Sequence, residues 1–311
     1  MVSLCYLTHR RAGFRGLIPH ELGNLSNLNH LGLRGTSSFQ TLYSENLEWL
    51  HRLNSLLSLD LGYADLSNAS SWLLHINQLP TLQELYLSSC KLDHFAPLDH
   101  ANFTSLSVLD ISLNNFNSFL PKWITSLSSL VSLDLSRSYL SMDWDEPTKT
   151  NGHRLRSNEL SGLIPNELCH LSDLQIMDIG NNNLTGPIPH CFGNFTSMAT
   201  KRNPSRSVHY SYNNGDQFLE NAYVMTKGRE LQYNTILALM TSIDLSNNSL
   251  SGEIPKEISN LFALRSLSLL RNHLSGIIPE RIGVMNDLKS LDLQGTNSQD
   301  EYRLACQTYH S

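Results

Sequence analysis

Three sets of residues in this 311-residue chain have types and spacings that invite a chemical reading. The first is His20-Glu21, which opens like the zinc-protease motif H-E-x-x-H. The fifth residue is Asn24, so the second histidine ligand is missing. The second is a pair of dipeptides, Cys169-His170 and His190-Cys191, whose four side chains are of the kinds that hold zinc. Adjacent residues point apart, and zinc sites usually leave two or more residues between ligands, so a four-ligand site is the poorer reading. The third is a series of aspartates, Asp60, Asp110, Asp134, Asp178, Asp244 and Asp292, each between two large apolar residues. Clustered carboxylates suit acid–base work, but these recur with a fixed spacing, and architecture explains them. G-x-x-x-x-G-K-[ST], G-x-S-x-G and C-x-x-C are absent. The chain is therefore expected to be no enzyme and to need no metal or cofactor.

The spacing that carries the aspartates also dictates the fold. The phrase L-x-G-x-I-P runs over 160–165, 184–189, 250–255 and 274–279, with Phe14 heading a fifth copy and 116–121 a degraded sixth. Successive copies start 24 residues apart, as in Leu160 to Leu184 and Leu250 to Leu274. Between them runs L-x-x-L-x-x-L-x-L-x-x-N-x-L, for example Leu261, Leu264, Leu267, Leu269, Asn272 and Leu274. A period in this range with this core is the leucine-rich-repeat signature. In each L-x-L the two leucines share one face of a short strand, and one coil cannot bury them alone. The expected fold is an α/β right-handed solenoid with a concave parallel β-sheet, 24-residue coils, and a convex side of loops and short 3-10 or helical turns. The Asn after each strand (Asn114, Asn158, Asn182, Asn248, Asn272) is expected to turn inward and satisfy backbone groups, with Cys90 and Ser138 in the same slot. Cys169 and Cys191 lie 22 residues apart, almost one coil, which puts them on adjacent coils about 4.8 Å apart and within disulfide reach.

The second residue of each L-x-L sets the register: Leu33, Leu61, Leu87, Ile111, Leu135, Leu155, Ile179, Leu245, Leu269 and Leu293. Two steps are abnormal, 20 residues from Leu135 to Leu155 and 66 from Ile179 to Leu245. The organisation read from this is an unpatterned end at 1–13, repeats at 14–140, an irregular junction at 141–154, repeats at 155–199, an insertion at 200–236, repeats at 237–295 and an unpatterned end at 296–311. The insertion starts polar and basic (KRNPSRS) and is rich in aromatics. AYVMTKGRELQY within it alternates as a hairpin turning near Lys227-Gly228.

Charged residues make up only 16% and the formal net charge is −6, with no basic stripe, so nothing favours nucleic acid. No apolar run reaches the roughly 18 residues that span a bilayer, and MVSLCYLTHRR has too short an apolar core for a signal peptide. Six N-x-[ST] sequons mark glycosylation candidates in a secreted molecule, at Asn24, Asn68, Asn102, Asn183, Asn194 and Asn247.

The 24-residue unit with L-S-G-x-I-P, an insertion and then further repeats resembles plant extracellular leucine-rich-repeat receptors. It is most similar to the receptor-like proteins that lack a kinase domain. The stretches ELCHLSDLQIMDIGNNNLTGPIPHCFGNFTSMA and VMTKGRELQY look like the surroundings of the island domain in those proteins. The resemblance covers roughly 14–140 and 155–295, and Phe218 stands where the family's island motif has a Tyr. It implies a ligand-recognition ectodomain in defence or development, on the extracellular face of the plasma membrane or in the apoplast. Peptide, glycan or microbial protein ligands are implied, with a co-receptor kinase as a further partner. The family's signal peptide, cysteine-paired cap and transmembrane helix are not in this sequence, so it is expected to be a fragment or an imperfectly joined gene product. A soluble apoplastic inhibitor of cell-wall-degrading enzymes shares the repeats but usually lacks an island; a truncated decoy is the other alternative. Solenoids offer extended concave surfaces, and aromatic and Arg side chains are the usual anchors. The ligand-binding candidates are therefore Tyr63, Tyr86, Arg137 and Arg271, expected on strand positions, with Tyr212, Phe218 and Tyr223 from the island.

Overall fold

The computed structural model of the chain describes residues 4–8, 14–35, 42–98, 100–116, 118–138, 140–141, 161–200, 222–226, 229–233 and 241–295. Seven three-residue strands come first: β1 (Tyr6–Thr8), β2 (His30–Gly32), β3 (Ser58–Asp60), β4 (Glu84–Tyr86), β5 (Val108–Asp110), β6 (Ser132–Asp134) and β7 (Ile176–Asp178). A hairpin follows, β8 (Ala222–Thr226) and β9 (Arg229–Tyr233), and then β10 (Ser242–Asp244), β11 (Ser266–Ser268) and β12 (Ser290–Asp292). Apart from the hairpin these form one parallel sheet of ten strands in chain order. The middle residues pair in one line from Leu31 through Leu59, Leu85, Leu109, Leu133, Met177, Ile243 and Leu267 to Leu291. From Leu31 to Leu267 they are at most 1% exposed, so each coil's leucines are covered by the next coil's.

The phrase L-x-G-x-I-P turns the chain out of this sheet. Its residues form a second, six-stranded sheet that includes Ser161–Leu163, Asn183–Gly186, Ser249–Glu253 and His273–Ser275. At Gly186 the backbone takes φ +71°, and a Cβ there would stand 2.3 Å from a methyl of Leu163, so only glycine fits. The prolines then enter the outer turns: Pro19, Pro165, Pro189, Pro255 and Pro279 each precede a five-residue 3-10 turn. Their φ values, between −72° and −55°, are those the pyrrolidine ring imposes. Cys169 and Cys191 lie in successive outer turns with their sulfurs bonded and their Cα atoms 5.8 Å apart. His190, part of the alternative zinc reading, instead meets Glu257, Nδ1 to Oε2 at 2.8 Å.

Coils are tied to one another by the inward asparagines. Asn114 Oδ1 accepts the N–H groups of Cys90 and Leu92 from the preceding coil at 2.9 and 3.1 Å. Its Nδ2 donates back to Leu87 O at 2.7 Å and to Ile111 O and Ser112 O at 3.0 and 3.1 Å. Asn248 and Asn272 repeat the arrangement, taking the N–H of Leu184 and of Leu250. Cys90 and Ser138 fill the slot more sparsely: the Cys90 thiol faces Leu61 O at 3.2 Å and Ser88 O at 3.6 Å, and Ser138 Oγ donates to Leu135 O at 2.6 Å.

Three features depart from the sequence reading or lie beyond it. The end at 1–13, read as unpatterned, contains β1, with Leu7 opposite Leu31 and Tyr6 stacked on His30 at 4.6 Å. In the ten-stranded sheet β6 pairs directly with β7, Leu133 opposite Met177. In the outer sheet Ser141 stands opposite Ser161; Leu155, Asn158 and the rest of 142–160, where a register member and the irregular junction were expected, lie outside the described residues. The hairpin is where it was expected, Thr226 opposite Arg229 across Lys227-Gly228.

Asn114→Ala should leave two buried N–H donors without an acceptor and cost roughly 2–4 kcal/mol. Urea unfolding of the two proteins measures it; a loss below about 1 kcal/mol would mean the ladder amide is replaceable.

Candidate recognition surface

Because the strands are in register, the residues between the buried leucines line up on the concave face as two rows. The first row runs His30, Ser58, Glu84, Val108, Ser132, Ile176, Ser242, Ser266, Ser290; the second runs Gly32, Asp60, Tyr86, Asp110, Asp134, Asp178, Asp244, Ser268, Asp292. All six sequence-noted aspartates stand in the second row. Each uses Oδ1 to accept the backbone N–H two residues on, from Gly62, Ser112, Ser136, Gly180, Ser246 or Gln294, at 2.8–3.1 Å. The carboxylates thus hold the turn that follows each strand, which is the work of an Asx turn. Packing them side by side has an electrostatic consequence. Burial, and then the neighbouring Asp110 carboxylate, push the Asp134 carboxyl up to about 7.

The residue after the turn lies in the left-handed region. Tyr63, Leu113, Arg137, Asn181 and Asn247 follow turns held by an Asp, and Ser89 and Arg271 follow Tyr86 and Ser268 in the same row, all with φ between +51° and +65°. Three binding candidates are therefore relocated. Tyr63, Arg137 and Arg271 do not lie on strands but three residues past β3, β6 and β11, along the rim of the sheet. The reason is local: each strand ends three residues earlier and the chain bends before reaching them, at Tyr63 and Arg137 through a turn whose N–H the strand's Asp takes up. Each is three strands from the next, about 14 Å at about 4.8 Å per strand, so they form a spaced row and not one cluster. Tyr86 does lie on a strand, half-buried between Asp60 and Asp110. Arg137 and Arg271 are exposed, and Arg271 Nη1 donates to Asn247 Oδ1 at 3.3 Å. Tyr212 and Phe218 lie outside the described residues, and Tyr223 sits on β8.

Sequence reasoning missed Arg34. It stands at the head of a row that continues with Gly62, Ser88, Ser112, Ser136, Gly180, Ser246, Leu270 and Gln294, and its charge among these neutral residues was the available signal. Its guanidinium lies 5.3 Å from the Tyr63 ring centre and pairs with Asp60 at 3.4 Å.

The hairpin roofs one end of this surface. β8 comes within 8 Å of β11, measured between Cα atoms. Ser242, Asp244, Ser266 and Ser268 are 2–7% exposed, although Ser132 and Asp134, and Ser290 and Asp292, in the same rows are half-exposed. The hairpin thus reaches past β10, the strand at which the chain re-enters the sheet, to the next coil. Of the sequons, Asn24, Asn68, Asn102, Asn183 and Asn194 are exposed, whereas Asn247 is half-buried and donates to Asn181 Oδ1 at 3.2 Å. Among the described residues no group of three or more His, Cys, Asp or Glu could hold a metal, and no helix is long and apolar enough to cross a membrane.

A short-stranded parallel sheet, an asparagine ladder and 3-10 outer turns define a leucine-rich-repeat protein. Leucine-rich-repeat family profiles match residues 80–140, and 173–195, 240–261 and 263–285. The chain is a relative of the plant receptor-like proteins. Receptor-like protein 43 of Arabidopsis thaliana is 30% identical to it over 248 residues, 79% of this chain and 27% of that protein. The chain thus spans about a quarter of that relative's length. Among solved structures, the ectodomain of the Arabidopsis receptor kinase GASSHO1/SCHENGEN3, in complex with CASPARIAN STRIP INTEGRITY FACTOR 2, shares the fold. Its TM-score is 0.58 at 22% identity, over 94% of this chain and 33% of that one. The ectodomain of the Arabidopsis receptor kinase HAESA, in complex with a peptide hormone ligand, aligns with TM-score 0.51 at 22% identity, over 85% of this chain and 37% of that one.

The Asp134 carboxyl titrates at about 7 in the folded chain and near 3.9 unfolded, so the folded state holds an extra proton between these values. Its contribution to stability is therefore full at low pH and falls as pH rises from about 4 to about 7. Asp134→Asn keeps the Oδ1 acceptor for Ser136 and removes the ionisation. The variant should gain stability relative to the parent across this window, measured by urea unfolding at several pH values; a pH-independent difference would contradict the assignment.

Proposed function

We propose that the chain is a ligand-recognition ectodomain, or part of one, of a plant cell-surface receptor-like protein. The observation that carries this reading is the concave face: rows of side chains in strict register with a hairpin resting across one end. Such a face binds an extended or folded partner along many coils at once. The ligand is a peptide, a glycan or a microbial protein, with rim residues Tyr63, Arg137 and Arg271, the strand residue Tyr86, and island residues Tyr212, Phe218 and Tyr223 as anchors. A co-receptor kinase is the further partner, and the place of action is the outer face of the plasma membrane or the apoplast. The peptide hormone held by the HAESA ectodomain supports a ligand on a solenoid of this kind.

The island is the part whose removal separates recognition from folding. It leaves β7 and returns to the adjacent β10, and closing a long loop between neighbouring points adds little entropy cost. Replacing 200–236 by a short Gly-Ser bridge should leave the solenoid folded, read by circular dichroism. The bridged protein should also lose retention of the extracellular peptide or glycan that the parent protein, immobilised, captures from apoplastic fluid or a microbial culture filtrate. Undiminished retention with an intact fold would reduce the island to a spacer.

A further inference from the structure

The outer turns fill the core as regularly as the strands do, except in one coil. The residue before the proline of L-x-G-x-I-P is buried: Ile18, Leu120, Ile164, Ile188 and Ile254 are 1–5% exposed. The third residue after the proline is buried as well, with Ile124, Leu168, Phe192 and Ile258 at most 2% exposed. In the coil that runs from Leu92 to Phe103, these two positions on either side of Pro97 hold Ala96 and His100. Ala96 is small and half-buried, and His100 is exposed. The described residues after Pro97 form no 3-10 turn. Two core-filling side chains are therefore missing, and a cleft of about 650 Å³ opens between residues 94–101 and residues 120–126 of the next coil.

The next coil gives this cleft an aromatic wall. Two residues after the proline, other coils carry Glu21, Glu167, Cys191, Glu257 or Arg281, none of them buried. Here the residue is Trp123, 7% exposed. Its ring meets Phe103 edge-on with centres 5.4 Å apart and stands 6.2 Å from Phe95. Phe95 in turn lies flat on Phe116 at 4.2 Å, so both lining rings are held by packing behind them. The polar lining residues include His94, His100 and Lys122, all three exposed. No acidic residue is among the described residues that line the cleft, and the nearby Asp93 is paired with His94. A void of this size forfeits the packing that Ile and Leu supply at the same positions elsewhere.

We propose that this cleft is a binding site for a small aromatic carboxylate, its ring against Phe95 and Trp123 and its anionic end at Lys122. The volume lies within the roughly 300–1,000 Å³ of small-molecule sites, which pair an apolar lining with a few polar groups. Aromatic walls favour a ring over a saturated group of the same size. A lysine with no unpaired acid beside it favours an anion. The cleft lies among the outer turns and not on the concave face, so the proposal does not rest on the reading of that face as a ligand surface.

The test titrates the full chain with 3-phenylpropionate, and separately with 3-phenylpropylamine and 3-cyclohexylpropionate. The readout is the indole N–H resonance of Trp123, identified by its loss in Trp123→Phe; that N–H is buried with no hydrogen-bond partner. 3-Phenylpropionate should shift it saturably with a roughly millimolar dissociation constant, as suits so small a ligand. The amine and the cyclohexyl acid should each bind at least about threefold more weakly. Ala96→Ile restores the residue type of the other coils, so it should keep the fold, read by circular dichroism, and abolish the shift. Lys122→Gln, a change at an exposed position, should weaken the acid about threefold without affecting the amine, and it carries the test if the first variant does not fold. No saturable shift, or a shift undiminished in the folded variants, overturns the site. Equal binding of the amine overturns the anion assignment, and equal binding of the cyclohexyl acid overturns the aromatic one.

Discussion

The rest of the structure depends on the inward side-chain amides of the asparagine ladder. A three-residue strand makes too few hydrogen bonds to fix its own position, and the chain must bend sharply on leaving it. At Asn114 a single residue supplies the acceptor for two N–H groups of the preceding coil and donates to carbonyls of both coils. Buried backbone groups that would otherwise lack partners are satisfied, and the spacing between coils is set by the reach of one amide. The leucine line on the inner side follows, because only coils held at that spacing cover each other's side chains.

The functional face is a by-product of the same constraint. Once the coils are in register, every residue type that recurs in the repeat becomes a row. The aspartate row illustrates how chemistry and architecture compete for the same atoms. One oxygen of each carboxylate is committed to a turn N–H, which orients the other and brings the rim residue into the left-handed region. What is left for recognition is the variation superimposed on the repeat: Tyr86 among aspartates, Arg34 among neutral residues, arginines and a tyrosine at the rim, and a hairpin laid across two coils.

Much of this was legible in the sequence because the repeat is strong. The leucine and asparagine positions, the turn phrase, the adjacency of Cys169 and Cys191 and the Lys227-Gly228 hairpin all follow from a period and from local turn chemistry. What escaped depends on contacts the period does not encode. β1 has Leu7, but His9 stands where the second leucine of an L-x-L would mark a coil, and only its pairing with β2 reveals it. Leu155 fits the spacing of an L-x-L but lies outside the described residues, among which Leu133 pairs directly with Met177. Tyr63, Arg137 and Arg271 looked like strand residues because spacing alone does not say where a strand stops; at Tyr63 and Arg137 the aspartate hydrogen bonds do. Arg34 was hidden because its partners, Asp60 and Ser88, lie one and two coils away.

The central claim is that the ladder amides, and not the strand pairing alone, lock each coil to the next. Native-state hydrogen exchange on the full chain tests it most directly. The N–H groups of Cys90 and Leu92 donate to Asn114, that of Leu184 to Asn248 and that of Leu250 to Asn272. They should exchange as slowly as the strand amides of Leu85 and Leu109, opening only when the solenoid itself opens. Fast, loop-like exchange at these four positions with the strand amides still protected would contradict the account.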